Sequence, residues 1–175
     1  MAVRDVVVDR PRLMLVGINP GLRSGLTGHH FAGRGNPFWR LIHAAGLVPV
    51  LLAPEDDQRL ATYGVALTNL CPRTTRTAAE LTPSEIQRGR SALARKVARL
   101  RPAVVGFVGI SIYQTYFGHK VSGGPGLKPE TIAGARVFVV PNPSGLNASF
   151  PGFKHKLIWY RRLAAFVAGD DLQAS

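Results

Sequence analysis

The residue types with most chemical potential crowd a glycine-rich stretch near the start of the chain. It reads Gly17-Ile18-Asn19-Pro20-Gly21, then Ser24, then Gly28-His29-His30-Phe31 and Gly35-Asn36-Pro37. Glycine tolerates tight turns and lets backbone approach a bound molecule closely, so such a stretch suits a ligand. A phosphate-binding loop is one reading, because Gly28 and Gly33 have the G-x-x-x-x-G spacing. The chemistry disagrees: Arg34-Gly35 stands where Lys and Ser or Thr belong, and no G-x-G-x-x-G fingerprint is present. Adjacent His29 and His30 make a poor metal pair, since sequence neighbours rarely face one ion and no further ligand accompanies them. No Asp or Glu occurs in residues 11–54, so the paired carboxylates of a glycoside hydrolase are not available in this stretch. A second stretch, Asn142-Pro143-Ser144-Gly145-Leu146-Asn147, taken alone reads as a turn with a surface leucine.

The elements that must position these stretches alternate along the chain. Residues 13–17 are a short apolar run ending in Gly, the pattern of a buried strand. Residues 19–35 read as a long loop, and Asn36-Pro37 as the cap and first residue of a helix that stops at Gly46. A second helix is expected over 54–62 and a second strand over 64–67. The clearest helix is 83–100, where Ile86, Leu93, Val97 and Leu100 share one face and Arg88, Arg95, Lys96 and Arg99 lie away from it. Residues 103–108 read as a third strand, 110–117 as a short helix, 118–130 as loop, 136–140 as a fourth strand after a turn at Gly134-Ala135, and 154–168 as the last helix. The alternation predicts one three-layer α/β/α domain spanning 1–175, with a central, mostly parallel four-stranded sheet. Ligands of such sheets sit at the carboxyl ends of the strands, so the loops after strands one and four are where to look.

Charge says what kind of ligand. The chain carries 22 Lys and Arg against 10 Asp and Glu, a net +12 with a sequence pI near 11.1. Three acid-free segments, 11–54, 86–129 and 131–169, let one face stay positive towards a phosphate backbone. With 46% hydrophobic and 18% charged residues the composition suits a folded soluble domain, not a disordered tail or a membrane span. A single cysteine, Cys71, permits no internal disulfide and no Cys-rich metal framework. Residues 1–9 alternate charges with valines and lack the apolar core of a signal peptide, so an intracellular site is expected, cytoplasm or nucleoid if the source is bacterial.

Taken together and in order, Gly17-Ile-Asn-Pro-Gly21, Gly28-His-His-Phe31, Gly35-Asn-Pro-Phe-Trp39 and Asn142-Pro-Ser-Gly-Leu146 resemble the mismatch-specific uracil-DNA and thymine-DNA glycosylases. Thr68-Asn69 and Phe150-Pro151 add to the likeness, which covers nearly the whole chain.

The resemblance implies a uracil-DNA glycosylase type of fold and a monofunctional enzyme. It would flip uracil, or another altered pyrimidine, from double-stranded DNA with G·U or related mismatches and hydrolyse the N-glycosidic bond. It implies Asn19 as the residue that holds the attacking water. Gly17, Ile18, Ser24, His30, Phe31, Thr68, Asn69 and Asn142 would form the base pocket, with Phe31 stacking on the extruded base. Gly145, Leu146 and Asn147 would enter the base stack, Leu146 as the wedge. Lys154, Lys156, Arg161 and Arg162 are candidate phosphate contacts. No lysine lies in either motif loop, which argues against Schiff-base lyase chemistry. No metal or organic cofactor, no membrane and a monomer are expected. Two other readings stay open: a non-catalytic basic nucleic-acid-binding module, and a nucleotide-binding α/β enzyme acting on a small phosphorylated ligand.

Overall fold

In the computed structural model, which describes residues 2–118, 121, 123–145 and 150–169, the chain winds a single twisted sheet. β1 (Leu13–Gly17) lies between β2 (Val65–Asn69) and β3 (Val104–Val108), and β5 (Ala135–Val140) lies beyond β3. These four strands are parallel. β4 (Gly126–Ile132) closes the edge antiparallel to β5. The strand order is therefore β2-β1-β3-β5-β4.

β1 and β3 are buried along their whole length because helices cover both sheet faces. Leu13 and Leu15 point into one core and Met14 and Val16 into the other, as the two-residue period of a strand requires. The first core is closed by α2 (Phe38–Ala44), a run of 3-10 turns over Pro54–Tyr63, and α5 (Phe153–Val167). The second is closed by α3 (Pro83–Leu100) and α4 (Ile110–Phe117). α3 opens on a reciprocal cap: the Glu85 amide donates to the Thr82 hydroxyl at 3.2 Å and the Thr82 amide to the Glu85 carboxylate at 2.7 Å. Gly89 on α3 sits so close to the chain after β2 that an added Cβ would stand 2.3 Å from the Leu70 carbonyl oxygen.

The sheet thus has five strands where four were expected, and the additional one occupies part of the segment read as loop. β4 hides from a hydrophobicity pattern because its sides are reversed: Leu127 is exposed while Lys128 is buried beside the Tyr113 ring. The ladder slips between Lys128 and Thr131, around Pro129, whose missing N–H suits an edge strand. The β4–β5 hairpin turns at Ala133-Gly134, both with positive φ, one residue before the expected position. A short helix, α1 (Leu22–Thr27), lies inside the expected loop 19–35. Its Gly25 packs so tightly on Thr74 that a Cβ there would fall 2.4 Å from the Thr74 hydroxyl oxygen. The helix after Asn36-Pro37 starts one residue later than expected, at Phe38, whose N–H donates to the Asn36 Oδ1 at 3.0 Å.

Candidate functional site

The two motif stretches leave the sheet at its carboxyl end, one from β1 and one from β5, and face each other across a cleft of about 360 Å³. Gly17, Ile18, Asn19, Ser24, His30, Phe31, Asn69 and Asn142 all line it. The chain beyond β2 forms a third wall that the motif comparison did not foresee. It keeps running beside the β1 exit, with Leu70 N–H donating to Gly17 C=O at 2.8 Å, Cys71 N–H to Ile18 C=O at 2.9 Å, and Thr75 N–H to Pro20 C=O at 3.1 Å. This parallel continuation delivers Arg73 and Thr75 to Asn19.

Asn19 is the best-defined polar group in the cleft. Its amide nitrogen donates to the Arg73 carbonyl at 2.8 Å and to the Thr75 hydroxyl oxygen at 2.7 Å. The assignment of N and O is forced by the partners. A carbonyl only accepts, and the Thr75 hydroxyl spends its own proton on the Thr77 carbonyl at 2.7 Å, so both neighbours require donors from Asn19. The Asn19 Oδ1 is then left as the acceptor, with no protein donor among the described residues. Thr75 is 4% exposed, so water cannot readily replace it. Arg73 is itself staked down: its guanidinium makes a two-pronged contact with Glu85, holding that carboxyl at about 2, and also donates to the Glu80 carbonyl at 2.8 Å.

The aromatic wall is equally constrained. Phe31 stacks on Phe38 with ring centroids 3.9 Å apart and planes 19° apart. Its backbone has φ of 48°, a conformation unfavourable for a residue with a Cβ, and the surrounding bonds hold it there. One residue earlier, the His30 N–H donates to the Asp57 carboxylate at 3.1 Å and the His30 carbonyl accepts from the Trp39 indole at 3.3 Å. The His30 imidazole is buried and its Nε2–H donates to the Arg4 carbonyl at 2.7 Å, which leaves Nδ1 as an acceptor. Burial pushes its pKa below the usual range, so the ring is neutral at pH 7. Ser24 accepts from the Ala32 N–H at 3.1 Å and helps hold the same loop. Gly17 has no room for a side chain: a Cβ would stand 2.6 Å from the Asn69 amide oxygen and 3.4 Å from the Phe31 ring. The Asn69 side-chain amide makes no hydrogen bond with the described residues and lines the cleft, where it can meet a ligand.

Thr68 is the exception among the proposed pocket residues. It precedes Asn69 on β2, so its side chain points the other way, where its hydroxyl donates to Asp5 at 2.8 Å and accepts from Lys96 at 2.9 Å. It does not line the cleft. Asn142 does, and its Oδ1 accepts from the Ser144 N–H at 3.0 Å, folding the turn that follows β5. Gly145 ends the described part of that turn with φ of 84°. Leu146 and Asn147 lie outside the described residues.

Lys156 is not a surface phosphate contact. It is 5% exposed, and its ammonium reaches from α5 under the turn to the carbonyls of Pro143 at 2.9 Å and Gly145 at 3.3 Å. The Tyr160 hydroxyl, one turn further, donates to the Pro141 carbonyl at 3.0 Å. Together they fasten the turn to the fold. Lys154 and Arg161 are exposed, and exposed Arg162 lies over the Trp159 ring at 4.4 Å. The signal that could have found Thr75 and Arg73 was positional: Arg73-Thr-Thr-Arg76 begins four residues after the end of β2, and β2 is the parallel neighbour of β1.

A mostly parallel α/β/α sheet with a polar, amide-lined cleft at the carboxyl ends of its strands defines a small α/β domain whose cleft is lined by amides, hydroxyls, arginines and a neutral imidazole. The uracil DNA glycosylase superfamily model matches residues 5–164. The chain belongs to that superfamily, whose members are N-glycosyl hydrolases acting on DNA.

Proposed function

We propose that this chain is a monofunctional, mismatch-directed DNA glycosylase. It extrudes uracil or a related pyrimidine from duplex DNA, preferentially opposite guanine, and leaves an abasic site. The observation that carries the reading is the Asn19 amide, whose two hydrogens are consumed by Arg73 and Thr75 and whose oxygen is left as an acceptor in the cleft. Such an oxygen can hold a water but cannot take its proton as a strong base would. That chemistry suits a dissociative hydrolysis. The C1′–N bond breaks first, its electron pair leaves with the base, and the sugar becomes a cation that a placed water attacks. The water oxygen bonds to C1′ and its proton passes to solvent or to the departed base anion.

The remaining residues fit that sequence of events. Phe31, backed by Phe38, offers an aromatic surface to a flat base, and the free amide of Asn69 offers donors to a pyrimidine carbonyl. Exposed Arg23 and Arg76 at the cleft supply positive charge where the base becomes an anion and the backbone approaches. Leu146 and its neighbours would fill the gap left in the duplex. A slow site without a strong base depends on the extruded population the duplex offers, and a G·U wobble opens more easily than a matched A·U pair.

The test is single-turnover release of free uracil from two duplexes identical except for the base opposite uracil. Faster release opposite guanine, and a loss on the order of a hundredfold to a thousandfold in Asn19→Ala with abasic-DNA binding retained, is the expected result. No free base from either duplex removes the glycosylase reading, and equal rates remove the mismatch preference.

A further inference from the structure

A second depression, about 530 Å³, lies behind the wall formed by the chain after β2. Pro20 and Asn69 line both it and the cleft. Arg73 belongs to both sides as well, its carbonyl holding Asn19 and its guanidinium lining the groove. One thickness of chain therefore separates the two.

The charges in this groove do not cancel. Asp5 is paired with Lys96 at 2.7 Å, and Glu85 is taken by Arg73. Among the described residues that leaves Arg88, whose guanidinium meets only the Ser84 hydroxyl, and Arg95, which has no partner there. Both are exposed. They stand on α3 at i and i+7 with Ser91 between them, so all three share one face and the two cations are about 10 Å apart along the axis at 1.5 Å per residue. No Asp or Glu follows Glu85 on this helix. The floor is rigid, because Gly89 packs directly on the Leu70 carbonyl.

We propose that this groove is a track for the phosphodiester backbone of the DNA strand, with Arg88 and Arg95 neutralising two separate phosphates. Two cations that far apart do not converge on one phosphate group. They match separate phosphates along an extended polyanion, and the groove's place one thickness of chain behind the cleft, with Pro20 and Asn69 lining both, makes the DNA read into the cleft that polyanion. The proposal rests on the reading of the cleft as the site of a DNA base, and it widens the DNA footprint round the β2 edge of the sheet.

The test is equilibrium binding of the full chain to a labelled duplex carrying one abasic-site analogue, measured from 50 to 200 mM salt. Each lost phosphate contact lowers the log–log salt slope by about 0.9, so Arg88→Gln/Arg95→Gln should lower it by about 1.8. Over that fourfold salt range the wild type should then lose about twelvefold more affinity than the variant. Arg59→Gln/Arg136→Gln, which removes the same charge outside cleft and groove and off the α3 face, should keep the wild-type slope. A slope in the groove variant equal to that of the charge-matched control overturns the proposal. So does stabilisation by a mononucleotide that depends on Arg88 and Arg95 without any change of slope, which would make the groove a small-ligand site. Base release is read separately: a changed slope in a protein that frees no base keeps the track and removes the glycosylase reading.

Discussion

Thr75→Val is the sharpest single test of how the cleft is held. The substitution keeps the branched shape of a 4%-exposed side chain and replaces one heavy atom, the hydroxyl oxygen that accepts from Asn19 at 2.7 Å, by a methyl carbon. One Asn19 hydrogen then faces a methyl group, with only the longer 3.3 Å contact to the Pro20 carbonyl beside it, while the other still meets the Arg73 carbonyl at 2.8 Å. Losing one part-buried hydrogen bond costs about 0.5–1.5 kcal/mol, and if that cost falls on the reacting geometry the chemical step slows by about twofold to twelvefold. Thr75→Ser restores the oxygen and should recover most of the rate. The assay is single-turnover base release from a G·U duplex at saturating enzyme, with abasic-DNA affinity and melting temperature measured beside it. The Thr77 carbonyl also loses its donor, so a modest fall in melting temperature is expected in the valine variant. A valine variant within twofold of the wild type, or a serine variant as slow as the valine one, would show that the Thr75 oxygen does not orient Asn19.

Lys156→Met should lower stability by about 1–3 kcal/mol, because two carbonyls of the turn after β5 lose a charged donor, and unchanged thermal denaturation would contradict that role. Leu146→Ala should impair release from duplex DNA far more than from a substrate whose base is already poorly stacked; equal losses on the two would point to damage elsewhere. His30 gives a pH signature. Burial lowers its folded pKa below the ordinary 6.5, so the unfolded chain binds the proton more readily. Its contribution to stability is then complete above about pH 6.5 and is lost as pH falls below that towards the folded pKa. Melting temperature should drop more steeply from pH 7 to pH 5 in the wild type than in His30→Gln, and parallel curves would refute the assignment.

Much of this protein is legible in the residues themselves. The apolar runs of β1 and β3 report burial on both faces, and the apolar periodicity of α3 marks that helix from Pro83 to Leu100. Both properties are local, set by side-chain period and by bonds between near neighbours. β4 was lost because an edge strand need not alternate in the usual sense. There Lys128 goes inward against an aromatic ring and Leu127 outward, a choice made by packing partners far along the chain.

The same division runs through the site. The two motif stretches and the acid-free surroundings of Asn19 could be read in order along the sequence, since motifs keep their spacing. Which way the Asn19 amide faces could not, because it is decided by Arg73 and Thr75, more than fifty residues away and brought alongside only by the parallel pairing of β1 with β2. Thr68 and Asn69 are neighbours in sequence, yet strand alternation sends one to an ion pair and the other to the cleft. Lys156 carries the charge of a surface contact and fulfils a buried one. Sequence by itself determined what chemistry the chain carries; only the tertiary structure decided which of those groups are free to act, because a polar group's role depends on which of its hydrogen-bonding positions the rest of the fold has already taken.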